Sequence, residues 1–217
     1  MPHPAFNAQG VAVITGGASG IGLATATRFA QMGMKIAIVD LGEDRLAAAA
    51  DKLRAAGAAE VLTSETDVSD VTAMHQLNDL VTEKLGGATI LMNNAGIQTG
   101  SSMFSAHEGW ERVVAVNMWG PINGSEAFVP GMLERGHPGL VINTGSKQGI
   151  TTPPGDPAYN MSKSGLKTFT EALEHHLRNI EGAKITAHLL IPGFVFTELT
   201  QGDRTEKPAG AWTPEQT

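Results

Sequence analysis

The sequence predicts an α/β fold: a doubly wound parallel sheet with helices on both faces, forming a single domain over residues 1–217. Three observations point there. Short apolar runs alternate with longer stretches of helical period, the pattern of βαβ units. The runs are dense in Val, Ile, Leu and Ala with little polar alternation, as strands covered on both faces require. With 217 residues, 41% of them hydrophobic, the chain can bury one sizeable core and is short for two.

The elements follow in order. VAVIT (11–15) is a continuous apolar run and gives the first strand. Residues 21–32 then place apolar side chains at three- and four-residue steps, as an amphipathic helix does. KIAIVD (35–40) gives the second strand, and the Ala-rich stretch 44–56, charged on its outer face, the second helix. AEVLTSETDV (59–68) reads as a third, nearly buried strand, followed by a helix over 71–85. ATILMNN (88–94) is the fourth strand, and the periodic stretch 107–134 reads as one long helix. GLVINTG (139–145), a helix over 158–180 and KITAHLLI (184–191) complete the set. Right-handed crossovers between such strands place ligands beyond their carboxyl ends, near the first strand.

Composition narrows the partners. A formal charge of −7 and a pI near 5.4 leave no basic face for nucleic acid, so a small molecule is the expected ligand. The absence of cysteine excludes disulfides and thiolate metal sites, and the seven histidines show no HExxH spacing, so no metal is expected. The start MPHPAFNAQG has no basic segment followed by an apolar run, and no stretch is long and apolar enough to cross a bilayer. A cytoplasmic protein with no membrane partner is the expectation.

Directly after the first strand, TGGASGIG keeps Thr15, Gly16, Gly20 and Gly22 in a T-G-x-x-x-G-x-G spacing. Glycines there let the backbone turn sharply and approach a pyrophosphate, while the N–H groups around Ser19 and Ile21 and the positive end of the next helix attract its charge. Asp40 ends the second strand, where an acidic side chain can accept from both ribose hydroxyls of an adenosine. Its carboxylate would repel a 2′-phosphate, and neither Ser19 nor Leu41 is a cation that could reverse this, so NAD is expected over NADP. Asp67 and Val68 close the third strand, and Asn94, Ala95 and Gly96 follow the fourth, where adenine and its ribose would lie.

Tyr159 is the one tyrosine, and Lys163 follows it by four residues in a helical stretch, so both side chains share a face. Ser146 follows the fifth strand and faces the same crevice. A phenol ordinarily titrates near 10. An ammonium a few ångströms away, helped by the positive ring of an oxidised nicotinamide, is expected to lower that value until Tyr159 can exchange a proton with an alcohol or a carbonyl. Ser146 would donate to the substrate oxygen as charge develops on it.

TGGASGIG, NNAG, the serine ahead of YNMSK and the later Pro192-Gly193 together resemble the short-chain dehydrogenase/reductase family over nearly the whole chain. The resemblance implies a Rossmann sheet and NAD(P)-dependent interconversion of a secondary alcohol and a ketone. It assigns Tyr159 as acid and base, Lys163 to the nicotinamide ribose and to tuning of the phenol, and Ser146 to the substrate. It places the family's catalytic asparagine at Asn117. Pro121 has no N–H, so in a continuous helix the Asn117 carbonyl would lack its usual donor and could hold a relay water reaching Lys163. Pro192, Gly193, Val195 and Thr197 resemble the segment that closes over the nicotinamide, with residues 194–217 as the start of the substrate cover. A homodimer or homotetramer through the helices near His107 and Ala158 is also implied.

The chain departs from the family in two places. Lys147 follows the serine where a small residue is common, and is expected to be solvated or paired with Asp156, with contact to an anionic substrate as the alternative. Thr213-Pro214-Glu215-Gln216 announces a helix start just before Thr217, whereas relatives continue through a helix and a seventh strand; a missing C-terminal helix and last strand are expected. Two other functions remain open: NADPH-driven carbonyl reduction, and non-catalytic dinucleotide sensing on the same fold.

Overall fold

A strand buried at every residue has to be central, and β1 (Val11–Thr15) is such a strand. It pairs in parallel with β2 (Lys35–Asp40) on one side and β4 (Ile90–Asn93) on the other. With β3 (Glu60–Glu65), β5 (Gly139–Thr144) and β6 (Ile185–Leu190) they form one six-stranded parallel sheet in the order β3-β2-β1-β4-β5-β6. The order reverses between β1 and β4, which opens a crevice at the carboxyl ends of those strands. The computed structural model describes residues 3–104, 106–202 and 204–217.

Alternation along the strands divides the core in two. Ala12, Ile14, Ile36, Ile38, Ile90 and Met92 point to the face covered by α1 (Gly20–Gln31) and α2 (Glu43–Ala56), where Phe29, Leu46 and Leu53 meet them. Val13, Ala37, Val39, Leu91 and Val141 point to the other face. There Met74, Leu77 and Val81 of α3 (Val71–Leu85), Phe128 of α5 (Gly120–Arg135) and Leu177 of α7 (Pro157–Arg178) cover them. Among the described residues no helix is long and apolar enough to cross a membrane.

Two expected elements are corrected. The third strand is shorter than 59–68 and is not nearly buried: β3 ends at Glu65, lies at the sheet edge and has no fully buried residue. Asp67 and Val68 therefore stand in the turn before α3, not on a strand. The single helix over 107–134 is three pieces: α4 (His107–Val114), a π-helical turn at Ala115–Trp119, and α5. In that turn the Gly120 N–H reaches back five residues to the Ala115 carbonyl, just before Pro121 enters without a donor.

Beyond β5 a short α6 (Gln148–Thr151) precedes α7, and beyond β6 the chain forms α8 (Glu198–Gln201). The last segment doubles back. The Phe196 N–H donates to the Trp212 carbonyl and the Trp212 N–H to the Phe194 carbonyl, each at 2.8 Å. The expected capping box at Thr213 is present, with its N–H donating to Gln216 Oε1 at 2.8 Å, and the resulting 3₁₀ turn (Pro214–Gln216) packs on α1.

Candidate active site

The crevice is a cleft of about 950 Å³. Its floor is knitted from strand tips. The Asn94 side-chain amide donates to the Thr15 carbonyl at 3.1 Å and the Gly16 carbonyl at 3.3 Å, while its oxygen accepts from the Thr144 hydroxyl at 3.1 Å. The Thr15 hydroxyl accepts from the N–H groups of Asn94 at 2.9 Å and Ala95 at 3.1 Å. Asn94 thus lines the cleft as expected, but its side chain is committed to holding β1, β4 and β5 together.

The glycine turn fits a dinucleotide on geometry. Gly16 and Gly20 sit at φ +63° and +52°, and a methyl carbon on Gly22 would lie 2.2 Å from the Gly16 carbonyl oxygen. Only hydrogen is tolerated there, which leaves the backbone bare at the start of α1. Asp40 lies at the far wall, one oxygen accepting from the Ala18 N–H at 3.0 Å and the other from the Leu41 N–H at 2.9 Å. Asp67 accepts from the N–H and hydroxyl of Ser69 at 2.9 and 2.7 Å, and the Val68 carbonyl accepts from Asn123 at 3.0 Å.

Tyr159 and Lys163 rise from the first turns of α7, both buried. Ser146, just beyond β5, lines the cleft with them and accepts from the Gln148 N–H at 3.1 Å. The Lys163 ammonium lies 5.6 Å from the ring centroid and donates to the Thr144 carbonyl at 2.7 Å. Burial lowers its pKa to about 8. The expectation that Lys163 lowers the phenol is corrected for the protein alone. Burial pushes Tyr159 above its ordinary value, the Asp156 charge pushes it further, and the nearby Ser146 hydroxyl offsets only part of this. The ammonium addresses the Thr144 carbonyl and the ring face.

Asn117, in the π turn, is fully buried beneath the cleft. Its side chain clamps the segment after β4, accepting from the Ile97 N–H at 2.8 Å and donating to the Ile97 carbonyl at 2.9 Å. Gly96 beside it leaves space 3.6 Å from the Lys163 ammonium, measured from where a methyl carbon would stand.

Of the sequence-predicted residues, all line the cleft except Gly22, which packs behind the turn, and Asn117. Pro192, Gly193, Val195 and Thr197 come down from β6 on the open side; Thr197 also begins α8, exchanging bonds with Thr200. Arg45 was missed: from α2 it reaches the Ser19 hydroxyl at 3.0 Å and Glu198 of α8 at 3.2 Å across the cleft mouth. Its place in the first turn of a helix following Asp40 was the available signal. Lys147 is exposed at the cleft and does not pair with Asp156, which bonds instead to Ser101 and to backbone N–H groups.

Residues 10–208 match the short chain dehydrogenase family. A 1-deoxy-11-beta-hydroxypentalenate dehydrogenase of Streptomyces exfoliatus is 35% identical over 205 residues, 93% of this chain and 73% of that protein. A short chain dehydrogenase/reductase from Burkholderia phymatum, solved in complex with NAD, superposes with a TM-score of 0.86 at 37% identity, covering 95% of this chain and 76% of its own. An NAD⁺-bound xylitol dehydrogenase follows at TM-score 0.82 and 30% identity, covering 88% and 72%.

Proposed function

Because the chain belongs to the short chain dehydrogenase family, oxidoreductases acting on hydroxyl and keto groups, we propose that it interconverts a secondary alcohol and a ketone with NAD, Tyr159 serving as acid and base. The carrying observation is that Ser146, Tyr159 and Lys163 line one cleft, with the Lys163 ammonium 5.6 Å from the centre of the Tyr159 ring.

In this reading the bare backbone at Gly16, Ser19, Gly20 and Ile21 takes the pyrophosphate, and Asp40 with Leu41 takes the adenosine ribose. Asp67 and Val68 flank the adenine, Ala95 and Gly96 the sugars, and Pro192, Gly193, Val195 and Thr197 the nicotinamide end. Bound there, the nicotinamide supplies the two-electron acceptor or donor that no side chain offers. Ser146 donates to the substrate oxygen, Tyr159 takes the alcohol proton or returns it to the carbonyl, and Lys163 holds the phenolate by charge. The Asn117 carbonyl holds the water that reconnects Lys163 with solvent. NAD is favoured over NADP by the Asp40 carboxylate, and the NAD carried by two similar structures supports it. Glu198 occupies Arg45, the cation that reaches Ser19.

Residues 194–217 form part of the substrate cover in this proposal. Trp119, Ile150 and Met161, each about half exposed, supply apolar surface for a homodimer or homotetramer in the cytoplasm.

The test is a panel of secondary alcohols, bulky and aromatic ones included, with NAD and with NADP, followed by NADH absorbance. Turnover with NAD is expected, and Tyr159→Phe should lose at least about a thousandfold in kcat while binding NAD normally. Full activity in Tyr159→Phe would overturn the assignment, and NAD binding without turnover of any alcohol or ketone would favour a sensor.

A further inference from the structure

The start of α7 holds a carboxylate that the scheme above leaves unused. Asp156 is only 8% exposed, and both oxygens are engaged. Oδ1 accepts from the Ser101 hydroxyl at 2.5 Å and the Tyr159 N–H at 3.1 Å; Oδ2 accepts from the Gly100 N–H at 3.0 Å. Ser101 closes the circuit by accepting from the Ala158 N–H at 3.1 Å.

Capping a helix requires much less. Asp70 caps α3 with a single exposed oxygen that takes the N–H groups of Thr72 and Ala73. Asp156 does that task and also holds a second piece of chain: residues 99–101 continue from Ile97 and Gln98, which line the cleft beside Tyr159. Ile97 also packs with Ala158 and Tyr159.

We infer that Asp156 is a positioning residue: through Gly100 and Ser101 it locks one wall of the cleft to the helix turn bearing Tyr159, and its fixed charge adds to what opposes ionisation of that phenol. The inference rests on Tyr159 being the acid and base. A fixed anion at the foot of the turn opposes a second anion at the phenol, in line with the Asp156 contribution to the raised Tyr159. Few other charges face the phenol. Lys163 lies on the same helix; the segment 97–101 carries none. α4 brings His107, Glu108, Glu111 and Arg112, all exposed, of which Arg112 alone lines the cleft; Lys147, also exposed, comes from the loop after β5. α8 brings Glu198, held by Arg45.

Tyr159 is the sole tyrosine, so ultraviolet phenolate absorbance reads its ionisation without any substrate. The titration is run on the protein, on Asp156→Asn and on Ser101→Ala, over the pH range where circular dichroism shows the fold intact. Asp156→Asn keeps an oxygen for the Tyr159 N–H but loses the charge and the acceptor for Gly100, so its phenol should ionise at lower pH. Ser101→Ala keeps the charge and should titrate as the parent does. In hydrogen exchange, both variants should speed the amides of residues 99–101 by about tenfold, the equivalent of one lost bond to a charged group. An unshifted titration in Asp156→Asn overturns the electrostatic role, and unchanged exchange in both variants overturns the lock. Neither outcome depends on turnover, so an active Tyr159→Phe would remove the catalytic reading without touching these measurements.

Discussion

Replacing Lys163 with Met should make the ligand-free protein more stable at neutral pH, although it removes a proposed catalytic group. The ammonium is 4% exposed, and burial lowers its pKa from 10.5 to about 8. A lysine lowered on folding opposes the folded state wherever the unfolded chain would be protonated. That displacement corresponds to about 3 kcal/mol at pH 7, fading to under about 1 kcal/mol by pH 10. Stability of the parent should therefore rise from about pH 8 toward pH 10, because the unfolded chain there binds a proton that the folded one has released. Met fills a similar volume but leaves the Thr144 carbonyl without the 2.7 Å bond, a loss of about 1 kcal/mol. The net gain at pH 7 should be about 2 kcal/mol, shrinking to nothing or reversing by pH 10. Urea denaturation of both proteins at one-unit pH steps reads this directly. A stability difference that does not vary between pH 7 and pH 10 would refute the claim that the ammonium is held under desolvation.

Two further outcomes are expected. Gly22→Ala would put a methyl carbon 2.2 Å from the Gly16 carbonyl oxygen, so the turn must shift; a loss of about 2 to 3 kcal/mol in thermal melts and weakened NAD binding by calorimetry should follow. Asn117→Ala leaves the Ile97 N–H and carbonyl without their side-chain partners at 2.8 and 2.9 Å, and should cost about 2 to 3 kcal/mol in chemical denaturation.

The sheet was legible because β1, β2, β4 and β5 are buried runs of branched aliphatics, and burial on both faces imposes that composition. AEVLTSETDV misled at its end because an edge strand and the turn after it share polar residues, and nothing local marks which strand becomes the edge. The π turn was half legible: Pro121 announced a missing donor, but not that the helix would answer by widening at Ala115–Trp119. That Tyr159, Ser146 and Lys163 line one cleft was readable from spacing and resemblance, since four residues on a helix and the end of a strand are local facts. Asp156 and Arg45 were not, because their partners at Ser101 and Glu198 stand far away in sequence. The direction of the Tyr159 shift was missed for a related reason: spacing gives the neighbour, whereas burial depends on the whole fold.

The knot that Asn94 ties among Thr15, Gly16 and Thr144 has a bearing on how fast a nucleotide can settle. These bonds join three neighbouring strand tips through protein groups alone, so little chain entropy should remain to be surrendered there on docking. Association should then run near the pace of encounter, leaving the outer segment around Thr197, not the floor, to govern residence time.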